Sequence, residues 1–362
     1  MLNKKIYIIL IIIAITKSED KYSKPTIGIY AMPYPTNDYS IYNQTQVGIS
    51  YIRWLESSGA NVLIIQQWYS NETFDEILNK INGVLLIGDG RSINLTQIWE
   101  NNLKYLFNKA LDKNIPIWAT CLGFEIIHIL IANKDVLEIG INDKNVIHSF
   151  NNIDYNSKMF SLFNKKLSNE FLGYYNHNFS INKTFYNEKK LNEFFKITSL
   201  SKDKKSKEFI NSVEGINKNI YATQFNPEKI PFQRKNNSNV EYEKKSIRVS
   251  TLLGIFFVEE CRKNKNKFDP KEKDKYYFID SYGNNNTNFS IDSKNEIIIF
   301  THIKKNKQTN GKEKTNKTFL IVILIIIIVI ALFVGIYLFI KNKRIQNNLL
   351  EENEFSQYHF SK

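Results

Sequence analysis

Over its first 130 residues the chain alternates short aliphatic runs with stretches of helical spacing. Thr26-Ile-Gly-Ile-Tyr30, Asn61-Val-Leu-Ile-Ile65, Gly83-Val-Leu-Leu-Ile87 and residues 115–119 are apolar at nearly every position, the pattern of strands buried on both faces. Between them, residues 48–58, 74–81 and 95–112 repeat apolar side chains at helical spacing, and Gly59 closes the first of these helices. Strands of this kind separated by helices predict an α/β fold with a mostly parallel, flavodoxin-like central sheet flanked by helices. Ligand sites of such sheets lie at the carboxyl ends of the strands. Gly88-Asp89-Gly90 and Cys121 each follow a strand and belong to that edge. Residues 140–215 are polar, aromatic and without a clear period, and read as irregular. Residues 220–225 give one more strand, running into Asn226-Pro227-Glu228, and a helix around 250–262 closes the domain. Beyond it the chain is rich in Lys and Asn, with residues 276–279 and 297–300 expected as edge strands. No internal repeat is visible.

Two further apolar segments fall outside this pattern. Lys4-Lys5 precede the aliphatic run 6–15, and polar Thr16-Lys17-Ser18-Glu19 follow, which predicts a secretory signal peptide over 1–18. Residues 318–340 carry no charge and, as a helix, are about 35 Å long, enough to cross a hydrocarbon core. Lys341, Lys343 and Arg344 follow at once, but the run 304–317 is basic as well, so the signal peptide sets the orientation. The expectation is a type I membrane protein: a folded domain over 24–300, a basic stalk over 301–317, a span over 318–340 and a cytoplasmic tail over 341–362. Its domain would face a lysosomal or vacuolar lumen or the cell exterior. Asn-x-Ser/Thr sequons at Asn43, Asn71, Asn94, Asn178, Asn182, Asn236, Asn285, Asn288 and Asn316, with none after the span, agree with that topology.

Composition adds little. The net charge of +13 is spread through Asn/Lys-rich loops and the stalk, which reads as solvated surface rather than a nucleic-acid footprint. Cys121 and Cys261 are the two cysteines, and both are expected to be free thiols, the second in a helix packed on the domain. There is no Cys/His cluster at ligand spacing, so neither a metal nor another cofactor is called for.

The densest chemical signal is Trp118-Ala-Thr-Cys-Leu-Gly-Phe-Glu125. A strand that stops at Thr-Cys-Leu-Gly and continues as a helix is the sequence form of a nucleophile elbow. The turn lifts Cys121 out of the sheet, the helix N-terminus is expected to lower its pKa, and Gly123 spares a Cβ beside the neighbouring strand. A small buried Cys at a strand end is the plain alternative.

Together with Lys24-Pro-Thr-Ile-Gly-Ile, Tyr51-Ile-Arg-Trp-Leu-Glu-Ser-Ser-Gly-Ala60, Ile81-Asn-Gly-Val-Leu85, Ser157-Lys-Met-Phe160, Asn226-Pro-Glu-Lys229 and Phe256-Phe-Val-Glu-Glu260, this motif resembles the γ-glutamyl hydrolases. These are the lysosomal or secreted branch of the class I glutamine amidotransferase-like fold, and the resemblance covers about 24–300. It implies that Cys121 is the nucleophile, the Leu122 N–H an oxyanion donor, His177 a residue lining the substrate cleft, and Glu228 the acid that orients the catalytic base. Glu125 meets the α-amino group of a γ-linked glutamate or serves as a first-turn helix acid. The resemblance implies a small γ-glutamyl substrate such as a folate polyglutamate, and leaves a homodimer open.

Two departures stand out. The family's base is a histidine in Gln-Trp-His-Pro-Glu, and here the motif reads Gln224-Phe-Asn226-Pro-Glu228. An amide has no nitrogen that titrates near neutrality and cannot take the thiol proton. The family's Gly-Gly after the third strand reads Gly88-Asp89, which brings a carboxylate to the second oxyanion donor. Of the other histidines, His128 is expected to pack in the core and His148 to sit in a surface loop. The sequence therefore supports a membrane-anchored γ-glutamyl hydrolase-like protein with impaired catalysis. The alternative is a pseudoenzyme that binds γ-glutamyl or folate compounds or acts as a surface interaction protein.

Overall fold

The computed structural model describes residues 24–34, 44–88, 98–163, 171–181, 183–188, 191–233, 244–278, 289–301, 332–341 and 343. The chain forms two compact units, one ending at His302 and the other beginning at Ile303. The first unit opens with β1 (Thr26–Tyr30), β2 (Met32–Pro33), β3 (Gln44–Gly48), α1 (Ile49–Ser57), β4 (Asn61–Ile65), α2 (Asn71–Leu78), β5 (Gly83–Leu86), α3 (Ile98–Asp112), β6 (Ile117–Thr120) and α4 (Leu122–Ala132). It continues through β7 (Leu137–Ser149), β8 (Leu172–Ile181), α5 (Lys183–Glu188), α6 (Leu191–Phe194), β9 (Phe195–Lys202), β10 (Glu208–Gly215) and β11 (Ile220–Thr223). It ends with α7 (Lys229–Phe232), α8 (Lys244–Arg262), β12 (Tyr277–Phe278), β13 (Phe289–Asp292) and β14 (Ile297–Thr301).

An eight-stranded sheet of order β12-β4-β1-β5-β6-β11-β10-β9 forms the centre. The five strands β4, β1, β5, β6 and β11 are mutually parallel, and β12, β10 and β9 join antiparallel at the two ends. The parallel strands are the uninterrupted aliphatic runs of the sequence, and every residue of β1, β5, β6 and β11 is buried. Trp118 of β6 packs between Trp54 of α1 and Phe257 of α8, with ring centroids 5.3 and 5.6 Å away. Trp54 Nε1 donates to the Ser250 carbonyl at 3.0 Å, which fastens α1 to α8 over one face of the sheet. Local signals place the helix ends: the Ser70 hydroxyl accepts from the Thr73 N–H at the start of α2, and Gly59, at φ 95°, follows the end of α1.

Three expectations are corrected. Residues 140–215 are not irregular: they hold β7 to β10, with β7 and β8 paired as a two-stranded ribbon and β9 and β10 extending the main sheet. Residues 297–300 are not an edge of the main sheet: β14 is an inner strand of a separate four-stranded sheet, β13-β14-β3-β2. His148 is not in a surface loop but on β7, half-buried. His128 is in the core, its ring nitrogens 2.6 Å from the Phe124 carbonyl and 2.8 Å from the Tyr186 hydroxyl.

The signal peptide (1–18) and residues 302–317 of the expected stalk (301–317) lie outside the described residues, as do most of the tail and residues 318–331 of the expected span. Among the described residues no helix is long and apolar enough to cross a membrane. Residues 332–341 of the second unit are helical, and Leu332, Phe333, Val334, Ile336, Tyr337, Leu338, Phe339 and Ile340 are all exposed.

Candidate active site

The turn after β6 has the strained geometry of an elbow. Cys121 has φ 53° and ψ −111°, a region that side chains other than glycine rarely occupy. Two backbone bonds hold it there: Cys121 N–H to the Thr223 carbonyl at 2.9 Å, and Glu125 N–H to the Cys121 carbonyl at 3.0 Å. A Cβ on Gly123 would lie 2.4 Å from the Leu86 carbonyl oxygen, so the close approach of α4 to β5 requires glycine. Opposite the thiol, a Cβ on Gly88 would lie 2.9 Å from Cys121 Cβ, 2.9 Å from Tyr51 Oη and 3.3 Å from Asn226 Nδ2. Four separate chain segments thus converge on one point at the carboxyl edge of the sheet.

The polar groups at that point are joined in a chain of hydrogen bonds. The Gly88 N–H donates to Tyr51 Oη at 2.8 Å. Asn226 Nδ2 donates to Tyr51 Oη at 3.3 Å and to Glu228 Oε1 at 3.2 Å, using both amide hydrogens. Glu228 Oε2, buried beside Tyr51, has no hydrogen-bond partner. Asn226 is further pinned by its N–H to the Tyr174 carbonyl at 2.8 Å. Lys229 Nζ stands 4.0 Å from Glu228 Oε1 and 5.6 Å from the centre of the Tyr51 ring. The Cys121 thiol meets the Asn176 carbonyl oxygen instead, at 3.9 Å.

Electrostatics runs against an ionised thiol. Burial, then the Glu125 and Glu228 carboxyls, push Cys121 well above the usual thiol range, and the Leu122 N–H and Lys229 oppose them. The expected lowering by the helix N-terminus is overturned, because one N–H at a helix end does not offset the loss of water. Burial also lifts Glu125 to about 8, although Gln224 Nε2 donates to its Oε1 at 3.0 Å. Glu228 is raised by the same cause, with Lys229 and its hydrogen bonds opposing.

Of the residues named from sequence, Cys121, Leu122, Glu125, Gly88, Asn226 and Glu228 come together here. Asp89 lies outside the described residues. His177 is on β8 but buried, its Nδ1 2.6 Å from the Phe179 carbonyl oxygen and its ring against Tyr175 and Phe209. Tyr51 is the residue that sequence reasoning passed over. It sits on the buried side of α1, and nothing local distinguishes it from a core aromatic. Cys121 and Cys261 are both free and buried.

Comparison with known proteins agrees with this fold. The family model for glutamine amidotransferase class-I matches residues 40–240. A γ-glutamyl hydrolase of Mus musculus is 34% identical over 235 residues, covering 62% of this chain and 73% of that protein. γ-Glutamyl hydrolase B of Dictyostelium discoideum is 30% identical over 333 residues, covering 88% and 92%. The Homo sapiens γ-glutamyl hydrolase is 28% identical, covering 75% and 89%. With its elbow cysteine on a central α/β sheet of this type, the chain belongs to the γ-glutamyl hydrolase family of class I glutamine amidotransferase-like proteins.

Proposed function

We propose that this chain is a membrane-anchored γ-glutamyl hydrolase-like protein whose Cys121 thioester chemistry on a γ-glutamyl compound, such as a folate polyglutamate, is strongly impaired. The observation that carries the reading is the hydrogen-bonded chain of Gly88, Tyr51, Asn226 and Glu228, in which Asn226 acts only as a donor to Tyr51 and Glu228. Thioester formation needs a thiolate and a group to receive its proton. Asn226 stands where the family resemblance puts the base, and it supplies two donors and no titratable nitrogen. The thiol itself is held protonated by burial and by two neighbouring carboxyls.

Recognition fares better than chemistry. A ligand ammonium entering beside Glu125 would favour its carboxylate form, and the Leu122 N–H remains at the elbow to hold a carbonyl oxygen. The same network favours a second reading, a pseudoenzyme that binds γ-glutamyl or folate compounds without turning them over. For the anchor, residues 318–340 carry no charge, and the helical part from Leu332 to Ile340 exposes its apolar side chains.

The experiment uses the full-length chain in membranes washed at alkaline pH, and measures glutamate release from a pteroyl-polyglutamate between about pH 4.5 and 7.5. Release of the chain by the wash would overturn the anchor. The native protein is expected to turn over slowly and Cys121→Ala not at all. Asn226→His is expected to gain on the order of 100- to 10,000-fold, the range of a positioned general base. Native turnover as fast as that of Asn226→His would overturn the impairment. Tight binding without turnover in either protein would favour the second reading.

A further inference from the structure

The ribbon of β7 and β8 buries a second titratable cluster, apart from the network around Cys121. Asp143 on β7 is fully buried, and neither of its carboxylate oxygens has a hydrogen-bond partner. His148 brings Nε2 to 2.9 Å from Oδ1, and His177 of β8 brings Nε2 to 4.0 Å from Oδ2. Neither nitrogen is hydrogen-bonded either. The other nitrogen of His177, Nδ1, faces the Phe179 carbonyl oxygen, which can only accept. Nδ1 therefore carries the hydrogen, and in the neutral ring Nε2 presents a lone pair to a carboxylate that also presents lone pairs. Such an opposition is costly where water cannot relieve it. One proton on Nε2 removes it: the ring becomes a cation with a donor aimed at Asp143, and two opposed acceptors become a charge-assisted bond.

The strand connects that event to the thiol. Asn176 directly precedes His177 on β8, and its carbonyl oxygen is the group 3.9 Å from Cys121 Sγ. We propose that His177 and Asp143 form a proton-operated support beneath β8 that positions the Asn176 carbonyl against Cys121, with His148 as a second imidazole on the same carboxylate. His177 is then a positioning residue rather than one that meets the ligand.

The groups facing His177 are Asp143 and His148 on β7, Asp203 after β9, Tyr175 on its own strand and Phe209 on β10. Burial dominates and lowers its pKa to about 4; the Phe179 carbonyl, Asp143 and Asp203 favour the proton and His148 repels it. The support is thus unprotonated near neutrality and fills in acid. It takes the position of Cys121 from the site described above but not its turnover, so a chain that releases no glutamate still answers the test.

The test follows the reaction of Cys121 with 4,4′-dithiodipyridine in the full-length chain, between about pH 3.5 and 7, relative to glutathione at each pH. Peptide mass spectrometry separates Cys121 from Cys261, and a Cys261 that stays unreactive shows that the fold persists. The native profile is expected to change by roughly threefold across one inflection, while the thiol itself stays protonated. Asp143→Asn is expected to move the inflection down by about one pH unit, because an attracting charge is lost, and His148→Gln to move it up. His177→Gln is expected to abolish it. A native profile that parallels glutathione throughout overturns the proposal without any variant. So does an inflection that stays in place in both Asp143→Asn and His177→Gln.

Discussion

A nucleophile elbow is decided within a few residues, and here the decisive one is Gly123. Its missing Cβ is what lets α4 lie against the Leu86 carbonyl, two residues beyond the strained φ of Cys121. Gly123→Ala is therefore expected to cost about 2–4 kcal/mol, read from the urea midpoint, because backbone rather than a pliable side chain must move. This part of the site was legible in the sequence, since strand, thiol, glycine and helix are neighbours in the chain. Tyr51 was not. It reaches the same point from 70 residues upstream on an ordinary amphipathic helix, and only the folded arrangement shows its hydroxyl between Gly88, Asn226 and Glu228. The state of the thiol is illegible for a related reason: the helix end is visible in sequence, while the burial of the thiol and two carboxyls beside it are not.

Among elements, the parallel strands could be read because they are apolar on both faces, as β1 and β6 show. The strands β9 and β10 could not, because polar residues share their buried positions with apolar ones. Thr198, Ser199, Asn211 and Ser212 are all fully buried. They satisfy one another, with Ser212 Oγ 2.7 Å from Thr198 Oγ1 and 2.5 Å from Ser199 Oγ, and Asn211 Nδ2 donating to Ser199 Oγ at 2.8 Å. Alternation of polar and apolar residues therefore carries no sign of which face is inside. The contact between β5 and α8 gives a sharper test of how elements fit. A Cβ on Gly83 would lie 2.3 Å from Cys261 Sγ. Gly83→Ala alone is expected to lose about 1–3 kcal/mol, and most of that loss should vanish in a Cys261→Ala background. Additive losses in a double-mutant cycle would show that the strand, not the sulfur, limits the approach.

For the molecule as a whole, buried titratable groups set the pH range of stability. Glu125 rises from 4.5 to about 8 on folding, so its contribution is complete below about pH 4.5 and is lost as pH climbs through 8. His128 and His177 fall from 6.5 to about 4, so theirs is complete above about pH 6.5 and is lost as pH drops through 4. With two histidines on the acid limb against one glutamate on the alkaline limb, the highest melting temperature falls at about pH 6.5. Glu125→Gln is expected to flatten the alkaline limb and leave the acid one; an unchanged alkaline limb would mean that Glu125 ionises freely in the folded protein.

The two thiols give the molecule a further property, one that concerns time rather than equilibrium. Folded, Cys121 and Cys261 are both buried and both held protonated, so oxidants find little to attack. Once the chain opens, each returns to an ordinary thiol with a pKa of about 8.5 and becomes available for cross-linking within or between chains. In air, each excursion to the unfolded state risks being permanent, and the working life of the protein is then governed by how often it opens rather than by how stable it is.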